Sequence, residues 1–337
     1  MPGFPHRLRP GASACEDLRS DCDAVVCLAS QGFDKEIRRA FQIFRMHRNI
    51  LFLQCHTACG KLGLRKTSKA AARKPENEEN CGCVSMADAW IMKGLSRDDP
   101  LRIRSAAELT AWVDEVGFLP FFANGAAGFS AEEHVAADDW WTGDQATDPW
   151  EWREEIASAH AVAYGKFFDG RAGFISRAWL PFFANARRNG WDFDGKWQSG
   201  AAGQREKAVM EFFVDPESDD EPVFTNAAIL STDLKKRAGF GKGGEKNYPG
   251  ILTSLQMQLY LVIGGFQRRT NKRGAAYGMP VSAIMAPESI WGYDWITSAY
   301  GEEPAESWQR IFDRARKMVP DADEKGIVQL IGKKPEA

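Results

Sequence analysis

Two residue types divide this chain and never overlap. All seven cysteines lie at or before Cys83, and all twelve tryptophans lie at or after Trp90. Charge changes sign at the same place. Residues 1–83 carry 14 basic and 9 acidic side chains, whereas residues 84–337 carry 29 and 37. A body of about 250 residues with no cysteine must be held by burial of apolar surface alone, with no disulfide, which points to a reducing, cytoplasmic setting. The chain has no apolar run long enough for a membrane span, and no apolar segment follows Arg7 and Arg9 as in a secretory signal. No membrane partner is expected.

Two readings apply to the first segment. Cys55, His56, Cys59, Cys81 and Cys83 offer soft metal ligands, but C-x-x-x-C and C-x-C are not the spacings of a usual zinc ribbon or finger. In the other reading, residues 1–85 are a disordered extension, or translated sequence upstream of a start at Met86. No metal site is assigned.

Residues 86–202 read as a Trp-rich α/β region. Ser105 with Glu108 three residues on is a capping-box pattern, opening a helix that buries Leu109, Trp112, Val113 and Val116 and stops at Gly117. Asp148 caps a second helix whose first residue is Pro149. Ala161–Phe168 and Arg171–Ile175 flank Asp169-Gly170, a strong hairpin turn, with Tyr164, Lys166 and Phe168 expected on one face. The hexapeptide Leu119–Asn124 recurs as Leu180–Asn185, read as two Pro-started helical turns. Trp141, Asp144, Trp150, Trp152, Arg153, Tyr164 and Lys166 form a candidate pocket, since aromatic walls stack planar bases and carboxylates orient water. The alternative is that the tryptophans are core and the charges are caps or surface. There is no Gly-x-Gly-x-x-Gly run and no P-loop, so no cofactor is assigned.

Residues 203–290 read as a winged helix-turn-helix module, giving an α+β fold in which this module joins the mixed α/β N-terminal region. Helices are expected over Gly203–Phe213, Thr232–Ala238 with Ser231 as cap, and Ile251–Leu259. Two strands follow, Tyr260–Phe266 and Met279–Met285, enclosing a basic tip at Gln267–Gly274. Leu252, Leu255 and Leu259 face the core of the third helix, leaving Gln256 and Met257 outward. Lys235, Lys236, Arg237, Lys242, Lys246, Arg268, Arg269, Lys272 and Arg273 fall within residues 235–273, where Glu245 is the only acid. Such clustering in an acidic body suits salt-dependent contacts to DNA phosphates. Lys235, Lys236, Lys242, Lys246, Arg268, Arg269, Lys272 and Arg273 are the candidate nucleic-acid contacts. Winged helices also serve as protein-docking modules, so an interaction scaffold stays open. Residues 291–330 form a C-terminal helical segment, with Glu303–Met318 as its main helix.

Several long strings resemble the bacterial AlkZ-related family. They are Trp140–Asp144, Asp148–Glu154, Ala163–Phe168, Ala238–Asn247 and Leu252–Gln258, and the resemblance spans about residues 101–320. It implies kinship with winged-helix DNA glycosylases that excise alkylated bases and use a Gln-x-Gln or Gln-x-Asp motif. Gln256-Met257-Gln258 has the first spacing, so the resemblance implies Gln256 and Gln258 as catalytic candidates that hold a water against the sugar carbon. In that family's characterised enzymes the motif stands near the start of the chain, and here it does not. Three functions are therefore carried forward: a DNA-binding winged-helix protein linked to repair, a DNA glycosylase, and a protein-interaction scaffold.

Overall fold

The structure, a computed structural model, describes residues 92–215, 223–225, 228–271 and 273–336. The cysteines, His56, Met86 and Lys272 lie outside the described residues. The described chain is a mixed α+β structure around one antiparallel six-stranded sheet.

Helix α1, Ala106–Val116, starts where Ser105 accepts a hydrogen bond from Glu108 N and ends at Gly117. It buries Leu109, Val113 and Val116. The Glu108 carboxylate returns to the amide of Arg104, one residue before the cap. Strand β1, Phe118–Pro120, follows directly and is wholly buried. Helix α2, Pro149–Ala159, has Asp148 as N-cap and Pro149 in its first turn. Strands β2, Val162–Phe168, and β3, Arg171–Ser176, make the expected hairpin. Its turn places Asp169 at φ 50° and Gly170 at φ 71°, the left-handed pair that matches strand twist. A register shift between Gly165 and Phe168 breaks the alternation. Phe167 and Phe168 are both buried and Lys166 is exposed, so Tyr164, Lys166 and Phe168 do not share a face.

The repeated hexapeptide takes two structures. Leu180–Asn185 lies in helix α3, Leu180–Arg188, with its proline in the first turn. Leu119-Pro120 instead ends β1, where Pro120 pairs with Gly173 and Phe121 N donates to Ala172 O. The expectation of two helical turns is corrected: pairing with β3 outweighs local propensity.

Beyond α3 come α4, Phe193–Gln198, and α5, Gln204–Met210. A two-stranded pair, β4 (Val214–Asp215) and β5 (Val223–Phe224), stands apart from the main sheet. Strand β6, Ile229–Leu230, leads into α6, Ser231–Arg237, and then α7, Tyr248–Met257. Helix α7 starts three residues before the expected Ile251, because Pro249 fits its first turn. Strands β7, Val262–Thr270, and β8, Ala276–Met285, form a hairpin longer than expected at its tip. Short helices α8 (Pro287–Trp291) and α9 (Tyr293–Ile296) precede α10, Pro304–Met318, and α11, Glu324–Ile331.

The sheet order is β1-β3-β2-β7-β8-β6. The two hairpins join through the β2–β7 pairing at Tyr164 and Ile263. One hydrophobic cluster fills the space between α1, α2, the β1–β3 strands, α3, α10 and α11. A second lies among α5, α6, α7 and the base of β8, through Val209, Phe213, Leu234, Leu255 and Ile284. Between them runs a buried ion pair, Arg188 to Glu288 at 2.5 Å, with Arg188 also donating to Tyr300 Oη and Leu259 O. Burial pushes the Glu288 carboxyl up, and the Arg188 charge pulls the other way. Among the described residues no helix is long and apolar enough to cross a membrane.

Candidate nucleic-acid interface

The helical period decides which charges of α6 reach solvent, where Lys236 pairs with Asp233 at 3.6 Å. Leu234 is fully buried, so Lys235, Lys236 and Arg237 turn to solvent. Phe240 is buried against Tyr248, with ring centroids 5.3 Å apart, and anchors the loop that follows. From Gly241 to Asn247 every residue is exposed, Lys242 and Lys246 among them. Arg205 of α5 clamps this loop through Glu245 at 2.6 Å. On the β7–β8 hairpin, Arg269 and Arg273 are exposed. The tip is set by Asn271, whose Oδ1 accepts from Arg273 N and Ala275 N. Tyr277 and Met279 of β8 also stand in solvent, at 51% and 45% exposure. Arg268 differs from its neighbours: its guanidinium meets Glu151 of α2 at 3.2 Å.

Helix α7 presents little side-chain surface. From Ile251 to Gln258 no residue is exposed. Gln256 was expected outward and is 2% exposed. Its Oε1 accepts from Lys166 N at 3.0 Å and its Nε2 donates to Leu252 O at 3.3 Å. Gly165, beside this contact, leaves the room that a Cβ would fill. Met257 is half-buried, and its carbonyl accepts from Arg187, which also donates to Phe167 O. The correction has a plain cause: α7 is packed on one side by the second cluster and on the other by the β2 hairpin. Gln258 is half-buried too. Its Nε2 donates to Glu206 at 3.1 Å and to Ser254, and its Oε1 accepts from Lys196. Burial alone would raise the Glu206 carboxyl. The hydrogen bond from Gly203, the Lys196 charge and the bonds from Ser254 and Gln258 hold it below the usual range. Gln258 also borders an open cleft of about 520 Å³ with Arg187, Asn189, Trp308 and Lys333.

The seven residues expected to form one pocket separate. Trp152 is 1% exposed and packs in the core, its Nε1 bonded to Ala146 O. Tyr164 is buried among Phe121, Phe174 and Phe266, and burial pushes its phenol up to about 12, against the Arg153 charge. Lys166 lies toward α7, with Nζ 3.5 Å from Thr253 Oγ1. Asp144 is exposed and bonds the amide of Ala146. Trp141, Trp150 and Arg153 do come together. The Trp141 and Trp150 centroids are 4.6 Å apart, and the Arg153 guanidinium lies 3.7 Å over Trp150 and 4.5 Å over Phe266. Asp148, fully buried, accepts from Trp141 N, Gly143 N and Trp150 N and so sets the loop that carries Trp141. Sequence reasoning missed Phe122, Phe266 and Glu151 here. Phe122 sat inside the repeat, Phe266 at a strand end, and pairing Glu151 with Arg268 requires the sheet junction.

A family model described as AlkZ related matches residues 103–332. Neither the curated proteins nor the solved structures provide a match to this chain.

Proposed function

This chain belongs to the AlkZ-related family, and from that premise we propose that it binds DNA in a repair-related task through a winged-helix module. The order α5, β6, α6, α7, β7, β8 supports the module, with β6 pairing to β8 as the third strand of its sheet. The carrying observation is the set of free cations. Lys235, Lys242, Lys246, Arg269 and Arg273 are exposed and make no ion pair among the described residues, on a chain whose net charge is −3. Phosphate contacts are what such groups supply. The contacts come from the loop after α6 and from the β7–β8 wing. Helix α7, which a helix-turn-helix inserts into the major groove, is buried or half-buried along residues 251–258.

The glycosylase alternative asks Gln256 and Gln258 to hold a water. The burial of Gln256 and the bonding of Gln258 to Glu206, Ser254 and Lys196 favour positioning tasks for both. The test is fluorescence anisotropy of the full chain with a short labelled duplex at rising salt. Five neutralised phosphates give a slope of log K on log salt near −4 to −5, about −0.9 for each. Absence of binding at low salt, or affinity indifferent to salt, overturns the proposal.

A further inference from the structure

Trp141 is held at φ 65°, a region that a bulky aromatic residue rarely enters. Such a backbone conformation persists only where the surroundings over-determine it. Here they do. Asp148 is fully buried, has no ion-pair partner among the described residues, and spends its carboxylate on three backbone amides, those of Trp141, Gly143 and Trp150. The result is a rigid half-buried aromatic face. Phe122 and Trp141 lie 15° from parallel with centroids 6.5 Å apart, and Trp150 closes the group at 4.6 Å from Trp141. Trp150 is held from behind by the Arg153 guanidinium, itself only 3% exposed.

This face is tied to the wing. The same Arg153 covers Phe266 of β7, and two residues further along β7 Arg268 meets Glu151 of α2. Two residues of strand span about 7 Å, so Arg268 lies within about one side-chain length of the Arg153–Phe266 contact along β7. Glu154 pairs with Arg153 and Glu151 with Arg268, both at 3.2 Å, and Asp148 is bonded to three backbone amides, while Asp144 stands exposed in the loop after Trp141. Flat apolar rings beside cations suit a nucleobase out of its helix, since aromatic stacking accepts any base.

We infer that Phe122, Trp141 and Trp150 form a stacking site for an unpaired DNA base, so that the protein prefers DNA with single-stranded character to intact duplex. This rests on the DNA-binding reading above and deepens it by naming the form of DNA. The aromatic face takes the base, and the wing cations hold the flanking phosphates.

The experiment compares a duplex with the same duplex carrying a short unpaired bubble, using the full chain. One stacked base is worth about 1–3 kcal/mol, so the bubble binds about 5- to 150-fold more tightly. Trp141→Ala abolishes that preference, and Trp141→Phe keeps most of it. A second measurement needs no variant: 5-bromouracil placed in the bubble and irradiated crosslinks to the peptide holding Trp141 and Trp150. Equal affinity for bubble and duplex, a preference that survives Trp141→Ala, or crosslinks confined to the wing overturns the inference while DNA binding stands. Failure to bind either DNA removes the DNA-binding reading and this inference with it. Retention of an unrelated protein on the aromatic face without bubble preference assigns the face to docking and overturns it as well.

Discussion

Glu151→Gln should make the protein bind DNA more tightly. Arg268 is 47% exposed and Glu151 15%, and the two groups meet at 3.2 Å. A pair this exposed is screened and is worth about 0.2–1 kcal/mol. A phosphate that recruits Arg268 must first break this contact, and it then leaves the Glu151 charge near DNA. Removing the carboxylate lifts both costs, so affinity rises about two- to fivefold. Arg268 then counts as a full phosphate contact, and the salt slope steepens by about 0.9. Glu151 sits in the first turn of α2, where a negative charge favours the helix. The variant therefore loses up to about 1 kcal/mol of stability, which a thermal melt separates from binding. A contrast sharpens the test. Arg268→Gln should weaken binding little, because its charge is already compensated. Arg269→Gln, which loses a cation with no ion pair among the described residues, should weaken it more and flatten the slope by about 0.9. Anisotropy titrations at several salt concentrations read all three. If Glu151→Gln binds no more tightly than the parent, or if the two arginine variants behave alike, the idea that Glu151 competes with phosphate is refuted.

Gln256→Ala should cost about 1–3 kcal/mol in a denaturant melt, because it removes a buried side chain and leaves the part-buried Lys166 amide without its acceptor, while duplex affinity of the folded protein is unchanged. Loss of affinity without loss of stability would restore Gln256 to the interface. Arg188→Met leaves Glu288 buried without its cation and should cost about 3–5 kcal/mol, most of it recovered when Glu288→Leu is added. Additive losses would show that the two groups are not coupled. Glu206 is held below the usual carboxylate range, so its contribution is present above the unfolded value near 4.5 and is lost as pH falls through the folded value. The melting difference between parent and Glu206→Gln should therefore be full near neutrality and shrink in acid; a difference that grows in acid would reverse the assignment.

Features encoded by local chemistry were legible in the sequence. Ser105 and Asp148 cap the helices that they predict, and Asp169-Gly170 turns the hairpin. Leu252 and Leu255 are buried on one face of α7 as their spacing requires, whereas Leu259, expected to continue that face, lies beyond the helix end at Met257 with φ 62° and is buried in the first cluster. The failures share one cause, which is contact between segments distant in the chain. The two copies of the hexapeptide part company because only Leu119-Pro120 has a strand to pair with. Gln256 looked free because the surface that covers it, the β2 hairpin, lies 90 residues earlier. The aromatic pocket was named from neighbours in sequence, yet Trp150 and Trp152 leave α2 on different sides, as their two-residue spacing allows. Phe266 and Arg268 entered that neighbourhood only through the β2–β7 pairing at Tyr164 and Ile263.

On the proposed DNA-binding reading, that single junction also explains why the contacts fall on the β7–β8 hairpin and the loop after α6 and not on α7. Pairing β2 with β7 extends the sheet past the wing's own strands and lays the first hairpin beside α7. The Gln256 bond to Lys166 N and the Arg187 bond to Met257 O then lock that helix in place. With Gln256 buried and the Gln258 amide bonded to Glu206 and Ser254, neither glutamine offers a free amide to a major groove, where specificity of about 1–3 kcal/mol per bidentate contact would arise. What remains accessible is the loop from Gly241 to Asn247 and the β7–β8 tip, whose cations would on that reading meet phosphates, contacts that carry no sequence information directly. On the same reading, discrimination is expected by the state of the DNA rather than by its sequence. A face such as that of Trp141 and Trp150, which can engage a base only after it has left the stack, discriminates in that way.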